Sequence, residues 1–228
     1  MTETMHAEGA AAWDIQPRIL ALITDHVRPG MVTLETGAGQ STVALARAGA
    51  VHHAVTPSED EARRIRAACD AAGISTAQLQ FHLGYSQDIL PRLEPKPLDF
   101  ALIDGGHGFP IPAVDFCYIA PRLKPGGLLV IDDVDLWTGA MIVDFLKGEP
   151  AFAFVEIQRG RTAVFRCISA FALREWTNQP AVVAKSRLSQ FSRKARNAVG
   201  MVLHGKADEL GKKLENERQL AEAAKRDY

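Results

Sequence analysis

Five short stretches of strand character, at 31–34, 51–55, 79–83, 98–103 and 128–131, punctuate the chain, and four of them lead into stretches of helical periodicity. The apolar run at 31–34, bounded by Gly30 and Gly37, predicts a strand buried on both faces. Strands that alternate with helices assemble into a parallel sheet covered on either side. The helical stretches are Trp13–Val27, Ser41–Ala48, Glu59–Ala72, Ile111–Leu123 and Trp137–Lys147. Ser58 stands three residues before Glu61, the pattern of a capping box. Lys124-Pro125-Gly126-Gly127 is expected to be a turn. Phe152–Gln158 and Thr162–Ile168 flank Arg159-Gly160-Arg161 and predict a hairpin. The chain therefore belongs to the α/β class: a doubly wound, mostly parallel, Rossmann-like sheet of seven strands ending in an antiparallel hairpin.

Strand patterns stop after Ile168 and charge rises, so 1–168 is expected to form the main domain and 169–228 a helical extension. Two helices are predicted there, Pro180–Val202 and Lys206–Lys225. The first sets Val183, Leu188, Phe191, Ala195, Val199 and Val202 near one face. Lys185, Arg187, Arg193, Lys194, Arg196 and Lys206 crowd the same stretch, with no acid between Ala181 and Lys206. Such a helix either packs on a core with a solvated basic face or docks peripherally on a membrane or a protein complex. The second mixes signs through Asp208, Glu209, Lys212, Lys213, Glu215, Glu217 and Arg218. A lid, a homodimer interface and a docking surface all fit this pair.

Composition excludes several classes. The 26 Lys+Arg and 27 Asp+Glu residues leave a formal net charge of −1, which argues against a globally basic nucleic-acid binder. No apolar run approaches the ~18 residues of a membrane span. Met1–Ala12 has no basic stretch leading into an apolar one, so no secretory signal is expected. Cys69, Cys117 and Cys167 are widely spaced and odd in number. That pattern predicts reduced thiols in a cytoplasmic protein, each in the core, rather than disulfides or zinc ligands.

Glu35-Thr36-Gly37-Ala38-Gly39-Gln40-Ser41-Thr42 lies between the first strand and its crossover helix. Ligands of open α/β sheets bind at such strand ends. A dinucleotide loop asks for a third glycine where Thr42 stands, and no Lys-Ser/Thr follows as in a phosphate-binding loop. Glu35 beside the glycines favours a cationic or amino-bearing ligand over a diphosphate. The segment Leu34–Thr42 resembles motif I of class I S-adenosylmethionine-dependent methyltransferases. The strand order, Lys124-Pro125-Gly126-Gly127 before the fifth strand and the terminal hairpin extend the resemblance over Trp13–Ile168.

This resemblance implies that S-adenosylmethionine is the cofactor, held by Glu35, Gly37, Gly39, Ser41 and Thr42. Thr56 stands at the end of the second strand, where the family carries an acid for the ribose. Thr56 and Ser58 are therefore expected near the ribose, and Ser86 beside the adenine. Glu59 and Asp60 lie just beyond Ser58, where a neighbouring acid would serve the ribose instead.

Asp104 ends the fourth strand, and Asp132 and Asp133 end the fifth. Adjacent strands lie about 4.8 Å apart, so these carboxylates meet at one edge of the sheet. They repel one another unless a cation intervenes. Mg²⁺ held by Asp104, Asp132 and Asp133 would lower the pKa of a substrate hydroxyl. The layout resembles metal-dependent O-methyltransferases of the catechol and sugar types. His107, in Asp104-Gly105-Gly106-His107, is placed to act as general base. His52 and His53 are adjacent and face opposite sides of a strand. Tyr85 and Trp137 lie near the expected mouth. O-methylation of a small-molecule acceptor, without nucleic acid, is the leading expectation. A metal-independent methyltransferase acting on another nucleophile, and a non-catalytic cofactor-binding module, are the alternatives.

Overall fold

The structure, a computed structural model, describes residues 17–94 and 96–224. The first compact unit runs to Glu175 and holds one seven-stranded sheet in the order β3-β2-β1-β4-β5-β7-β6. Its strands are β1 (Val32–Thr36), β2 (Val51–Thr56), β3 (Leu79–Leu83), β4 (Leu98–Ile103), β5 (Leu123–Ile131), β6 (Phe152–Gln158) and β7 (Thr162–Cys167). Strands β1 to β5 pair in parallel, whereas β7 pairs antiparallel with both β5 and β6. The helices are α1 (Pro17–His26), α2 (Gln40–Arg47), α3 (Glu59–Ala71), α4 (Ser86–Ile89), α5 (Ile111–Ile119) and α6 (Trp137–Leu146).

Alternation along the central strands builds the two faces. Phe100 and Leu102 of β4, with Leu128 and Val130 of β5, pack with Ile19, Leu22 and Ile23 of α1 and Leu45 of α2. Ala101, Ile103, Leu129 and Ile131 face the other way, onto Phe116 and Ile119 of α5 and Ile142, Val143 and Leu146 of α6. Each large apolar side chain removed from water in this way contributes ~1.5–3 kcal/mol. A third cluster joins Ile65 and Cys69 of α3 to Ala54 and Leu79.

Three local expectations are corrected. Helix α5 stops at Ile119, followed by a short 3-10 turn over Ala120–Arg122, and Leu123 already belongs to β5. Lys124-Pro125-Gly126-Gly127 is no turn between elements but an irregular stretch inside β5. Leu98 pairs with Leu123 and Phe100 with Leu128, so β5 carries the extra residues as a bulge. Asp99 holds the bulge through Lys124 Nζ at 2.8 Å and also accepts from the Val32 amide at 2.9 Å. Cys117 is exposed, while Cys69 and Cys167 are buried. Cys117 follows Phe116 by one residue on α5, a rotation that turns it off the buried face. The expected start of the first helix at Trp13 and the expected end of the last helix at Lys225 lie outside the described residues.

The first unit extends seven residues past the expected boundary at 168. Phe171 joins the α5–α6 core and Arg174 pairs with buried Glu149 at 2.6 Å. The second unit, described by itself, holds a 3-10 turn (Trp176–Asn178), α7 (Pro180–Leu203) and α8 (Ala207–Ala224).

Candidate functional site

Strand order reverses between β1 and β4, and the carboxyl ends of the strands open there into a cavity of about 510 Å³. This is the switch point at which open α/β sheets bind ligands, and the volume lies within the usual ligand-pocket range. Hydrogen bonds run past the strand ends and fix the rim. The Gly37 amide donates to Val55 O, the Asp104 amide to Thr36 O and the Asp132 amide to Ile103 O, at 2.9, 3.1 and 3.0 Å. Gly37, Gly39, Ser41, Thr56, Ser58, Ser86, Asp104, His107 and Asp133 all line the cavity.

Gly37 adopts φ +86°, and a Cβ there would lie 2.2 Å from the Asp104 carbonyl oxygen. Only glycine admits both that backbone and that approach. Glu35 and Thr42 are not in the cavity wall but beneath the loop. Glu35 is fully buried, and its carboxylate accepts hydrogen bonds from Ser41 Oγ at 2.6 Å and from Thr42 Oγ1. It also contacts His52 Nε2 at 3.0 Å, and His52 Nδ1 meets Thr33 Oγ1 at 2.8 Å. The physical reason is its place inside β1: the side chain turns under the start of α2 and anchors the loop from below.

At the end of β2, α3 brings a carboxylate to the cavity. Thr56 Oγ1 donates to Glu61 Oε2 at 2.8 Å, and both residues line the cavity. Ser58 Oγ accepts from the Glu61 amide at 3.1 Å, as the capping pattern requires. The return bond of the box is made by Thr56 Oγ1, which accepts from the Ser58 amide at 3.2 Å. Glu61 is the residue that motif comparison overlooked. Its only signal was the Ser58–Glu61 spacing, which also marks an ordinary helix start.

At the other side of the cavity, Asp104, His107 and Asp133 bring one ligand atom each within 4.8 Å of one another. Asp132 is not in this group. Its carboxylate is buried and accepts from Thr162 Oγ1. Of the two neighbouring aspartates, Asp133, at φ +50°, is the one that lines the cavity. His107 Nε2 lies 3.0 Å from Asp133 Oδ2, and Arg161 Nε donates to Asp133 Oδ1 at 2.7 Å. Arg161, on the β6–β7 hairpin, was expected only to make a turn, yet it lines the cavity. Thr138 Oγ1 donates to the His107 carbonyl at 2.8 Å and fixes the loop.

Burial, then the carboxylates of Asp132, Asp133 and Glu35, push the Asp104 carboxyl well above the ordinary range, although Arg161 works the other way. Burial likewise raises Asp132, against the hydrogen bond from Thr162. The cavity wall thus sets three carboxylates, Glu61, Asp104 and Asp133, against one guanidinium, an excess that favours a cationic guest. Exposed apolar groups surround this end: Tyr85, Leu136, Phe109 and Trp137, the last two with ring centroids 5.8 Å apart.

A family described as a methyltransferase domain matches residues 34–134, which contain the glycine loop, Glu61, His107 and both candidate aspartates. Among solved structures, the O-methyltransferase TomG from Streptomyces achromogenes, involved in tomaymycin synthesis and in complex with SAM, is similar at TM-score 0.59 and 20% identity. The match covers 70% of this chain and 83% of that one. The O-methyltransferase from Bacillus cereus in complex with SAH is similar at TM-score 0.58 and 19% identity, covering 69% and 84% of the two chains. An rRNA methylase from Streptococcus thermophilus is similar at TM-score 0.54 and 15% identity, covering 68% and 98%. No curated protein matches the sequence.

Proposed function

We propose, on the premise that this chain is a class I S-adenosylmethionine-dependent methyltransferase, that it methylates a hydroxyl oxygen of a small molecule with His107 as general base. The observation that carries this reading is the contact of His107 Nε2 with Asp133 Oδ2, 3.0 Å apart, in the wall of the cavity that begins at the glycine loop. The carboxylate stands at ion-pair distance from one imidazole nitrogen, without hydrogen-bond geometry, and its charge stabilises the imidazolium that forms. The other nitrogen, Nδ1, is then the one that takes the proton. Two solved neighbours named as O-methyltransferases support an oxygen acceptor, while the rRNA methylase shares the fold, so fold alone does not choose the acceptor.

The residues present fit the cofactor. Gly37 lets the backbone approach the methionine part closely, and the excess of carboxylates suits a sulfonium and an amino group. Glu61, oriented by Thr56, accepts from the ribose hydroxyls, and Ser86 borders the adenine. When bound, S-adenosylmethionine supplies a methyl group on a positively charged sulfur, which a nucleophile displaces in line. His107 holds the acceptor hydroxyl by its proton and removes that proton as the oxygen–carbon bond forms. Phe109 and Trp137 give the acceptor an apolar edge.

Replacing His107 by Ala should lower kcat by roughly 10²–10⁴-fold. The affinity for S-adenosylhomocysteine, read by titration calorimetry, should stay unchanged. Retained turnover would remove His107 as the base. A methylated nitrogen in the product would remove the oxygen acceptor.

A second reading is favoured by the Asp104–His107–Asp133 cluster itself. These three fit a divalent cation, Mg²⁺ or, because one donor is an imidazole nitrogen, a first-row ion such as Mn²⁺. Such an ion would polarise the acceptor oxygen, and His107 would be a ligand rather than the base. Turnover undiminished in excess EDTA supports the His107–Asp133 pair. Turnover lost to EDTA and restored by Mg²⁺ or Mn²⁺ supports the cation.

A further inference from the structure

Helix α7 carries a surface that the methyl-transfer site does not use. Leu188, Phe191, Val199, Val202 and Leu203 are all exposed, from 55% for Val202 to 78% for Leu203. At about 100° per residue these five side chains fall within an arc of about 120°. Scattered apolar residues on a surface need no explanation, but a continuous stripe does.

Charge is equally segregated. Positions 180–207 hold six Lys or Arg residues and no Asp or Glu, in a chain whose net charge is −1. On the same helical projection Lys185 and Arg196 border one edge of the apolar arc, and Arg187 and Lys194 border the other. Among the described residues no helix is long and apolar enough to cross a membrane.

We propose that α7 lies in the surface of an anionic lipid bilayer. The Leu188–Phe191–Val199–Val202 stripe enters the acyl boundary, and the flanking cations meet the anionic headgroups. This arrangement is the one that amphipathic interfacial helices use. A second copy of α7 is a poorer occupant, because it would set five cations against five. A nucleic-acid helix is also poorer, because phosphates reward cations at the centre of the contact face, where this helix has Leu188 and Val199.

The test is flotation of the full-length protein with two kinds of vesicle, phosphatidylcholine alone and equal parts phosphatidylcholine and phosphatidylglycerol. The expected result is binding to the anionic vesicles only, weakening as salt is raised. Replacing Arg187, Lys194 and Arg196 by Ala should lower the affinity about a hundredfold, from roughly fivefold for each cation near the surface. Phe191→Ser with Val199→Ser should also release the protein. Phe191→Trp should gain a blue-shifted emission on the vesicles that the unsubstituted protein lacks. Melting temperatures equal to that of the unsubstituted protein establish that the variants are folded.

Absence of flotation with anionic vesicles at low salt would overturn the proposal. So would flotation unaffected by Phe191→Ser with Val199→Ser, which would mean adsorption by charge alone. A concentration-dependent dimer abolished by the same pair would assign the stripe to a second copy. Tighter retention by RNA than by vesicles, without the tryptophan shift, would assign it to nucleic acid.

Discussion

Glu35 and Glu61 stand 26 positions apart in the sequence, and the cavity separates their roles. Glu35 is buried under the glycine loop with Ser41, Thr42 and His52 on its carboxylate. Glu35→Gln swaps one acceptor oxygen for a donor that faces a hydroxyl or an imidazole. The expected cost is ~1.5–3 kcal/mol of stability, the worth of a hydrogen bond to a charged group. Thermal unfolding should record it, and any loss of cofactor affinity should follow from the loosened loop. Glu61 instead lines the cavity. Glu61→Gln keeps the bond from Thr56 but removes the charge that the proposed function sets against the ribose. It should weaken S-adenosylhomocysteine roughly tenfold with little change in melting temperature. Unchanged affinity would leave Glu61 as a helix-start residue only. Which of two neighbouring acids faces a ligand depends on backbone turns that local pattern does not encode. Asp132 and Asp133 make the same point, since a φ of +50° at Asp133 decides which carboxylate enters the cavity.

At the scale of the elements, strands and helices were legible wherever periodicity and punctuation agreed. All five predicted strands form, and so does the Arg159–Arg161 hairpin. The Lys124–Gly127 stretch misled because Pro-Gly-Gly signals a turn in isolation, whereas pairing with β4 and the Lys124–Asp99 contact keep it within β5. Arg161 was illegible for a related reason: its role comes from the antiparallel docking of β7 on β5, which delivers the hairpin to the sheet's carboxyl edge. Strands β2 and β3 carry a contact with a measurable signature. His53 Nδ1 lies 3.0 Å from His82 Nε2, with the rings stacked. Burial, then His82 and His52, lower the His53 pKa from 6.5 to about 4. The folded state therefore holds His53 neutral, while the unfolded chain takes up a proton below pH 6.5. Stability contributed in this way is present above that pH and declines as pH falls toward 4. His53→Gln should flatten the dependence of melting temperature on pH across this window. An unchanged slope would place the acid sensitivity elsewhere.

At the scale of the whole molecule, the chain's division decides what each part can do alone. Among the described residues, every strand, the three apolar clusters and the lining of the cavity belong to the unit that ends at Glu175. The clusters close with Phe171, and Arg174 completes the ion pair with Glu149 just before the boundary. The loss of strand pattern suggested a division at 168, and the compact unit ends at Glu175. The burial of one phenylalanine and one ion pair in a connecting segment leaves no periodic trace. A chain ending at Glu175 should therefore fold cooperatively and bind S-adenosylhomocysteine within a few-fold of the full-length protein. One ending at Ile168 loses Phe171, whose ring meets Phe116, Phe145 and Phe152. Removal of a buried phenylalanine side chain alone costs ~3–5 kcal/mol, a large share of the ~5–15 kcal/mol that holds a domain folded. Paired melting curves and titrations of the two truncations distinguish the boundaries. If the chain ending at 175 melts as low as the one ending at 168, the second unit is required for the first to be stable.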